Sequence, residues 1–474
     1  MTHTPPLRSR PVGGASVEWR PADPDRALAT AEPTAGGLTF LQTDHVAAAA
    51  AKRADGGPHT GTAGTITVLD GPLDRAAMAA ALTTFVRRHD ELRAVYRLDD
   101  AGPVRLVAPA ESIEFRTGGS GAHVAADDVI GHVVGRIESE AVFDRMPGVV
   151  YGAFDHGDAF TFYIGSDHSH TDGFSQYIGL HEIARLYRAH RDGEIPQPEH
   201  AGRFTDYIAS EKSLAASAAP DDPRIATWRE ILSANDGRVP RFPFDLGLAD
   251  GELGPALPVQ RTLLSAGQLD SCAQRRDDGS SLVGLIYAAL AAAQHELLGT
   301  ETYFTSTVLS TRTADHAATQ GWLCNFAPVA FPVSPGTRFT DLVHIATDAV
   351  AVARDLATLP VHAALAVLAA EGTYLPDSGS PQMVSYIDFR RVPGSDDPAV
   401  APATCFPAVG RTRNANMWFT RYDHALTLLA HIPDNPTAQS VFDTYASAVG
   451  RWLTDYAAGA DPVVGARSAT GVRS

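Results

Sequence analysis

The sequence predicts a mixed α/β (α+β) protein built as two lobes. Strand-like and helix-like stretches alternate in both halves of the chain. The halves are separated by a stretch rich in Pro, Gly and Asp, "RFPFDLGLADGELGPALP". The 474 residues also exceed one ordinary compact core and suit two domains. These signals divide the chain into an extended N-terminal segment (1–35), a first lobe (36–213), an inter-lobe crossing (214–258), a second lobe (259–460) and a flexible tail (461–474).

In order, "TAGTITVLDG" alternates like a strand, and Leu73, Met78, Leu82, Phe85 and Val86 recur at helical spacing up to Arg88. "ELRAVYRL", "GVVYGAFD" and "FTFYIGSD" read as strands. From Phe174 the period becomes helical, through Ile178, Ile183 and Tyr187, until Gly193 and Pro196 stop it. In the second half, "LVGLIYAALAAAQHELLG" is a buried helix ended by Gly299. It is followed by the strand "TYFTSTVLS" and the extended "NFAPVAFPV". Helices over Phe339 to Leu356 and Val361 to Glu371, three strands ("QMVSYIDFR", "NMWFTRYD", "ALTLLAHI") and a closing helix from Thr437 to Tyr456 complete the chain.

The chain is 44% hydrophobic and 20% charged, so it is globular, and its net charge of −17 argues against nucleic acid. Cys272, Cys324 and Cys405 form no CxxC pair, which predicts three buried thiols in a reducing compartment. The start lacks the apolar core of a secretory leader, and "LVGLIYAALAAA" is shorter than the about 20 residues a membrane span needs. The expectation is a cytoplasmic protein with no membrane partner.

Chemistry is concentrated in "DHSHTDG", Asp167 to Gly173, where two histidines and two aspartates fall within six residues at a strand-to-helix turn. A metal site is one reading, because His168-x-His170-x-Asp172 resembles the start of the HxHxDH pattern of metallo-β-lactamase-like hydrolases. Gly173 stands where that pattern needs its next histidine, and a zinc centre needs more ligands than remain. A surface turn in which Thr171 or Asp172 caps the following helix is a second reading. The third is acyl transfer, in which a neutral imidazole takes a proton from an attacking hydroxyl or amine.

"DHSHTDG" resembles the HHxxxDG motif of the chloramphenicol acetyltransferase-like superfamily, which includes condensation domains and polyketide-associated acyltransferases. His168 falls on the second histidine, Asp172 and Gly173 on the final pair, and Asp167 replaces the first histidine. Other segments are similar too. "RHDELR" (Arg88 to Arg93) matches the end of the family's first helix. Arg312, Gly321, Asn325 and Pro328 match an Arg followed by G-x-x-x-N-x-x-P. "WFTRYDHALTLLAHIPDN" matches the C-terminal strand pair and turn. The matches run from about Thr39 to Tyr456.

The resemblance implies two chloramphenicol acetyltransferase-like lobes in a V, with a central tunnel and the motif at its middle. It implies an acyltransferase that forms an ester or amide in specialised metabolism, of the nonribosomal-peptide or polyketide kind. It would need no cofactor, since the acyl thioester on phosphopantetheine or CoA is a co-substrate. An acyl or peptidyl carrier protein and a small-molecule acceptor are the implied partners of a monomer. His168 would be the general base, and the Gly173 amide an oxyanion donor helped by Ser310 or Thr311. Asp172 would pair with Arg312 across the lobe boundary. Asp167 would favour a charged His168. Asn325 and Trp322 would lie where the lobes cross, Trp322 as a packing residue. His170 would be a bystander, His89 structural, and Tyr386 and Asp388 candidates for the tunnel's far side. Arg87, Arg88, Arg390 and Arg391 are candidate cations for a donor. Two other functions fit the altered motif: cyclisation or rearrangement of a bound intermediate, and a non-catalytic docking module.

Overall fold

Strand Ala159–Asp167 runs straight into the motif, and the first sheet is built around it. In the computed structural model, which describes residues 12–57, 59, 61–100, 102–376, 381–407 and 410–466, this sheet has six strands. Their order is Thr404–Pro407, Thr62–Asp70, Ala159–Asp167, Val149–Asp155, Gly14–Pro21 and Phe115–Val124. Neighbouring strands along it run antiparallel. Alternation along Thr62–Asp70 sends Ile66 towards one face and Thr65 towards the other. Ile66 joins a cluster with Val129, Val133 and Ile137, the buried stripe of helix Val129–Glu140. Thr65 donates to Gln176 on helix Gly173–Arg191, which packs beside helix Arg75–Arg88. A three-stranded sheet of Glu32–Pro33, Gly102–Val107 and Ala94–Asp99 completes this part.

The chain divides into two compact units. One draws on residues 1–214, 312–324 and 391–408, the other on 215–311, 325–390 and 409–474. The second unit has a seven-stranded sheet whose order runs from Cys324–Pro332 through Thr302–Ser310, Met383–Asp388, Asn416–Arg421, Ala425–Pro433 and Gly254–Ser265 to Arg411–Thr412. Its central helix, Leu282–Leu298, is buried from Gly284 to His295 and packs against helices Phe339–Leu356 and Pro436–Ala457. Gly299 ends that helix in the left-handed conformation.

Several sequence expectations are corrected. The segment expected to be extended over 1–35 carries strand Gly14–Pro21 and helix Pro24–Ala29, while residues 1–11 lie outside the described residues. The 214–258 crossing contains helix Pro223–Ser233, opened by Asp222 as cap and Pro223 at the first turn. In the expected tail, Asp461 pairs with Arg338 and Val464 is buried; 467–474 lie outside the described residues. Cys272 and Cys324 are buried, whereas Cys405 is only half-buried. Among the described residues no single helix is long and apolar enough to cross a membrane.

Candidate active site

The motif leaves the sheet as a short 3-10 turn, His168–His170, and enters helix Gly173–Arg191 through Asp172. Asp172 is the helix cap, accepting from Ser175 N at 2.6 Å. Its carboxylate also accepts from Leu323 N at 2.9 Å and from Arg312 Nη2 at 3.1 and 3.2 Å. Arg312 in turn donates to Ser175 Oγ and to the carbonyls of Thr319 and His316. The ion pair expected across a lobe boundary lies inside one unit, because 312–324 belongs with the motif. It clasps that segment to the start of the motif helix.

His168 is partly exposed. Its backbone N–H donates to Gly61 O at 2.8 Å, and its buried Nδ1 has no partner in another residue among the described residues. The ring lies 4.2 Å, centroid to centroid, from Trp322. Burial, seconded by nearby His45, pushes the imidazole down to about 4 and outweighs the opposite pull of its own main chain, Asp167 and Asp172. Asp167 does favour the charged ring, as expected, but burial and His45 outweigh it. The Asp167 carboxylate is itself fully engaged by other groups. Its Oδ1 accepts from Ser169 N at 2.8 Å and from Ser169 Oγ, and stands 2.9 Å from His45 Nε2. Its Oδ2 lies 2.8 Å from His59 Nε2. Burial alone would raise this fully buried carboxyl, but His45 and His59 hold it well below the usual carboxylate range.

His170 is no bystander to the fold. It is buried, stacked on Tyr96, with Nδ1 3.1 Å from Glu91. Gln42 ties Glu91 to the motif by donating to Glu91 Oε1 and to Ser169 O. Arg105, itself fully buried, neutralises Glu91 at 2.9 Å. Asp90 caps helix Phe204–Ala216 through Phe204 N and Thr205 N, and His89 meets Glu182 at 2.9 Å. "RHDELR" thus supplies a buried polar frame behind the turn.

Gly173 opens the motif helix, where first-turn amides lack intrahelical acceptors. Trp322 packs on His168, and its Nε1 donates to Cys324 Sγ at 2.9 Å. Ser310, Thr311 and Asn325 belong to the second unit. Ser310 is exposed at a strand end, and Thr311 is partly exposed. Asn325 is buried, and its amide donates to Ala357 O and Leu359 O and accepts from Val361 N, which makes it a brace for the turn between two helices. Tyr386 and Asp388 lie on strand Met383–Asp388 of that unit. Of the candidate cations, Arg87 donates to Ile113 O, Arg88 is paired with Glu182 and Arg390 with Asp388. No group of three or more His, Cys, Asp or Glu is arranged to hold a metal among the described residues.

Sequence reasoning missed His45, His59, Gln42 and Glu91. One signal was available: Thr39 and Gln42 form a capping box that starts helix Phe40–Ala54. Nothing in the sequence tells that His45, one turn later, reaches Asp167.

Fold and site together define a condensation-type acyltransferase. The chain belongs to the family described as "Condensation domain", whose model matches residues 62–362, more than half of it. It is 29% identical over 360 residues to 2'-acyl-2-O-sulfo-trehalose (hydroxy)phthioceranyltransferase PapA1 of Mycobacterium tuberculosis, covering 74% of this chain and 68% of that protein. It is 26% identical to trehalose-2-sulfate acyltransferase PapA2 of Mycobacterium bovis, over 80% of this chain and 81% of that one. Among solved structures it is similar to a PapA2 acyl transferase, with TM-score 0.84, 24% identity and coverage of 96% and 98% of the two chains. The first condensation domain of the calcium-dependent antibiotic synthetase shares the fold, with TM-score 0.70, 20% identity and coverage of 91% and 99%.

Proposed function

We propose that this enzyme transfers an acyl chain from a thioester, on CoA or a carrier protein, to a hydroxyl of a small sugar-like acceptor, making an ester. The acceptor class is suggested by the relatives PapA1 and PapA2, named for sulfated trehalose substrates. The observation that carries the reading is His168, whose neutral ring is half-open at the end of the strand and pressed on Trp322. His168 takes the acceptor's proton as its oxygen attacks the thioester carbonyl. The resulting oxyanion needs donors already in place, and the Gly173 amide at the helix start is the candidate among the motif residues. Asp172 and Arg312 hold the turn and take no proton. The thioester is consumed as co-substrate, so the scheme calls for no resident cofactor.

The test is a panel of acyl-CoA thioesters of increasing chain length with trehalose or trehalose-2-sulfate, followed by thiol release and product mass. Acceptor-dependent release, lost by about 10²–10⁴-fold in a folded His168→Ala variant, is the expected result. Unchanged turnover in that variant refutes the base assignment.

A further inference from the structure

The replacement of the motif's first histidine by Asp167 brings a different imidazole into the site. Asp167 is held ionised, and a carboxylate only accepts hydrogen bonds, so His45 Nε2, 2.9 Å from Oδ1, carries its hydrogen. The second proton of a charged His45 therefore sits on Nδ1. Its ring is 6.3 Å from that of His168 and 5.9 Å from that of Trp322, so both histidines border the same indole. Gly61 makes this possible: a Cβ there would stand 2.2 Å from His45 Cε1, while its carbonyl accepts from His168 N. The groups around His45 are Asp167, His59 and His168, with His170 behind Asp167. The ion-pair partner that a charged ring needs is present at His45 and, among the described residues, absent at His168.

We propose that His45 is a second catalytic residue of the acyl transfer, the acid that protonates the departing thiolate while His168 takes the proton of the acceptor hydroxyl. The proposal rests on the acyl-transfer reading above. The acceptor O–H breaks and its proton goes to His168 as the C–O bond forms. The C–S bond then breaks with its electron pair on sulfur, which receives the proton from His45 Nδ1. One proton has been gained by His168 and one lost by His45, and proton exchange of the two partly accessible rings with solvent restores both. No further reactant is needed.

An aryl thiolate is a much weaker base than an alkyl thiolate and leaves without a proton. The experiment compares His45→Gln with the unaltered enzyme on two octanoyl donors, the N-acetylcysteamine thioester and the thiophenol thioester, with trehalose-2-sulfate as acceptor. The expected result is a loss of about 10²-fold or more with the alkyl donor and less than about tenfold with the aryl donor. Asp167→Asn, which removes the charge but keeps the shape, shows the same selective loss and serves if His45→Gln does not fold. Equal losses on both donors, or no loss on either, overturn the acid role while leaving acyl transfer standing. Release of neither thiol by the unaltered enzyme overturns the acyl-transfer reading, and this inference with it.

Discussion

Burial decides the charge of His168, and that has two measurable consequences. The folded ring titrates near 4, whereas the unfolded one titrates near about 6.5. Between those values the unfolded chain binds a proton that the folded chain refuses, so stability rises with pH across the window and is lost on acidification. His431, buried in the second unit, is shifted the same way, to about 4. Each contributes up to about 3 kcal/mol. Thermal melts at pH 7 and pH 4.5 check this: the acid-induced drop in Tm is smaller in His431→Gln. The acidic limb of kcat/KM likewise falls well below the ordinary histidine value; a limb near 6.5 contradicts a base held neutral. Asp172→Asn tests the neighbouring clasp. It removes the carboxylate charge facing the Arg312 guanidinium, and breaking such a buried pair costs up to about 3–5 kcal/mol, read as a lower denaturation midpoint. At this scale the motif residues were legible because their types and spacing carry the chemistry. His45 and His59 were not, since a lone histidine carries no sign of the carboxylate it will meet.

Among the elements, those with a clear apolar period could be placed from sequence alone. The helix expected over Phe339 to Leu356 spans Phe339–Leu356, and the strand read in "FTFYIGSD" is Ala159–Asp167. Helix Phe40–Ala54 escaped for a physical reason: its alanine run from Ala47 to Ala51 favours helix yet leaves no apolar stripe to detect. The connection from Arg312 to Cys324 shows how an element's shape can hang on one residue. Gly321 adopts a φ of 142° and exchanges hydrogen bonds with Ser175, and a Cβ on it would lie 2.4 Å from the Phe204 ring. Gly321→Ala therefore destabilises by about 1–3 kcal/mol from the backbone conformation alone, with the clash in addition. Calorimetry checks the size, and an unchanged Tm contradicts it.

Taken whole, the molecule carries a net charge of −17, and the arginines considered as donor cations are largely engaged with partners of their own. CoA is polyanionic, so its approach is opposed at low ionic strength. Raising salt is expected to increase kcat/KM severalfold for an acyl-CoA donor and to leave the uncharged N-acetylcysteamine thioester little affected. A fall with salt for the CoA donor reveals a local cationic dock instead. The two-part organisation was visible in the sequence, because composition shifts near the middle of the chain. The return of 312–324 and 391–408 to the first unit was not, because tertiary packing alone decides where a chain re-enters. That return governs the order of events on the ribosome. When residue 214 has been made, Asp172 still lacks its guanidinium and strand Thr62–Asp70 its outer neighbour Thr404–Pro407. The N-terminal half must wait, incomplete and open to proteolysis, until most of the polypeptide has emerged.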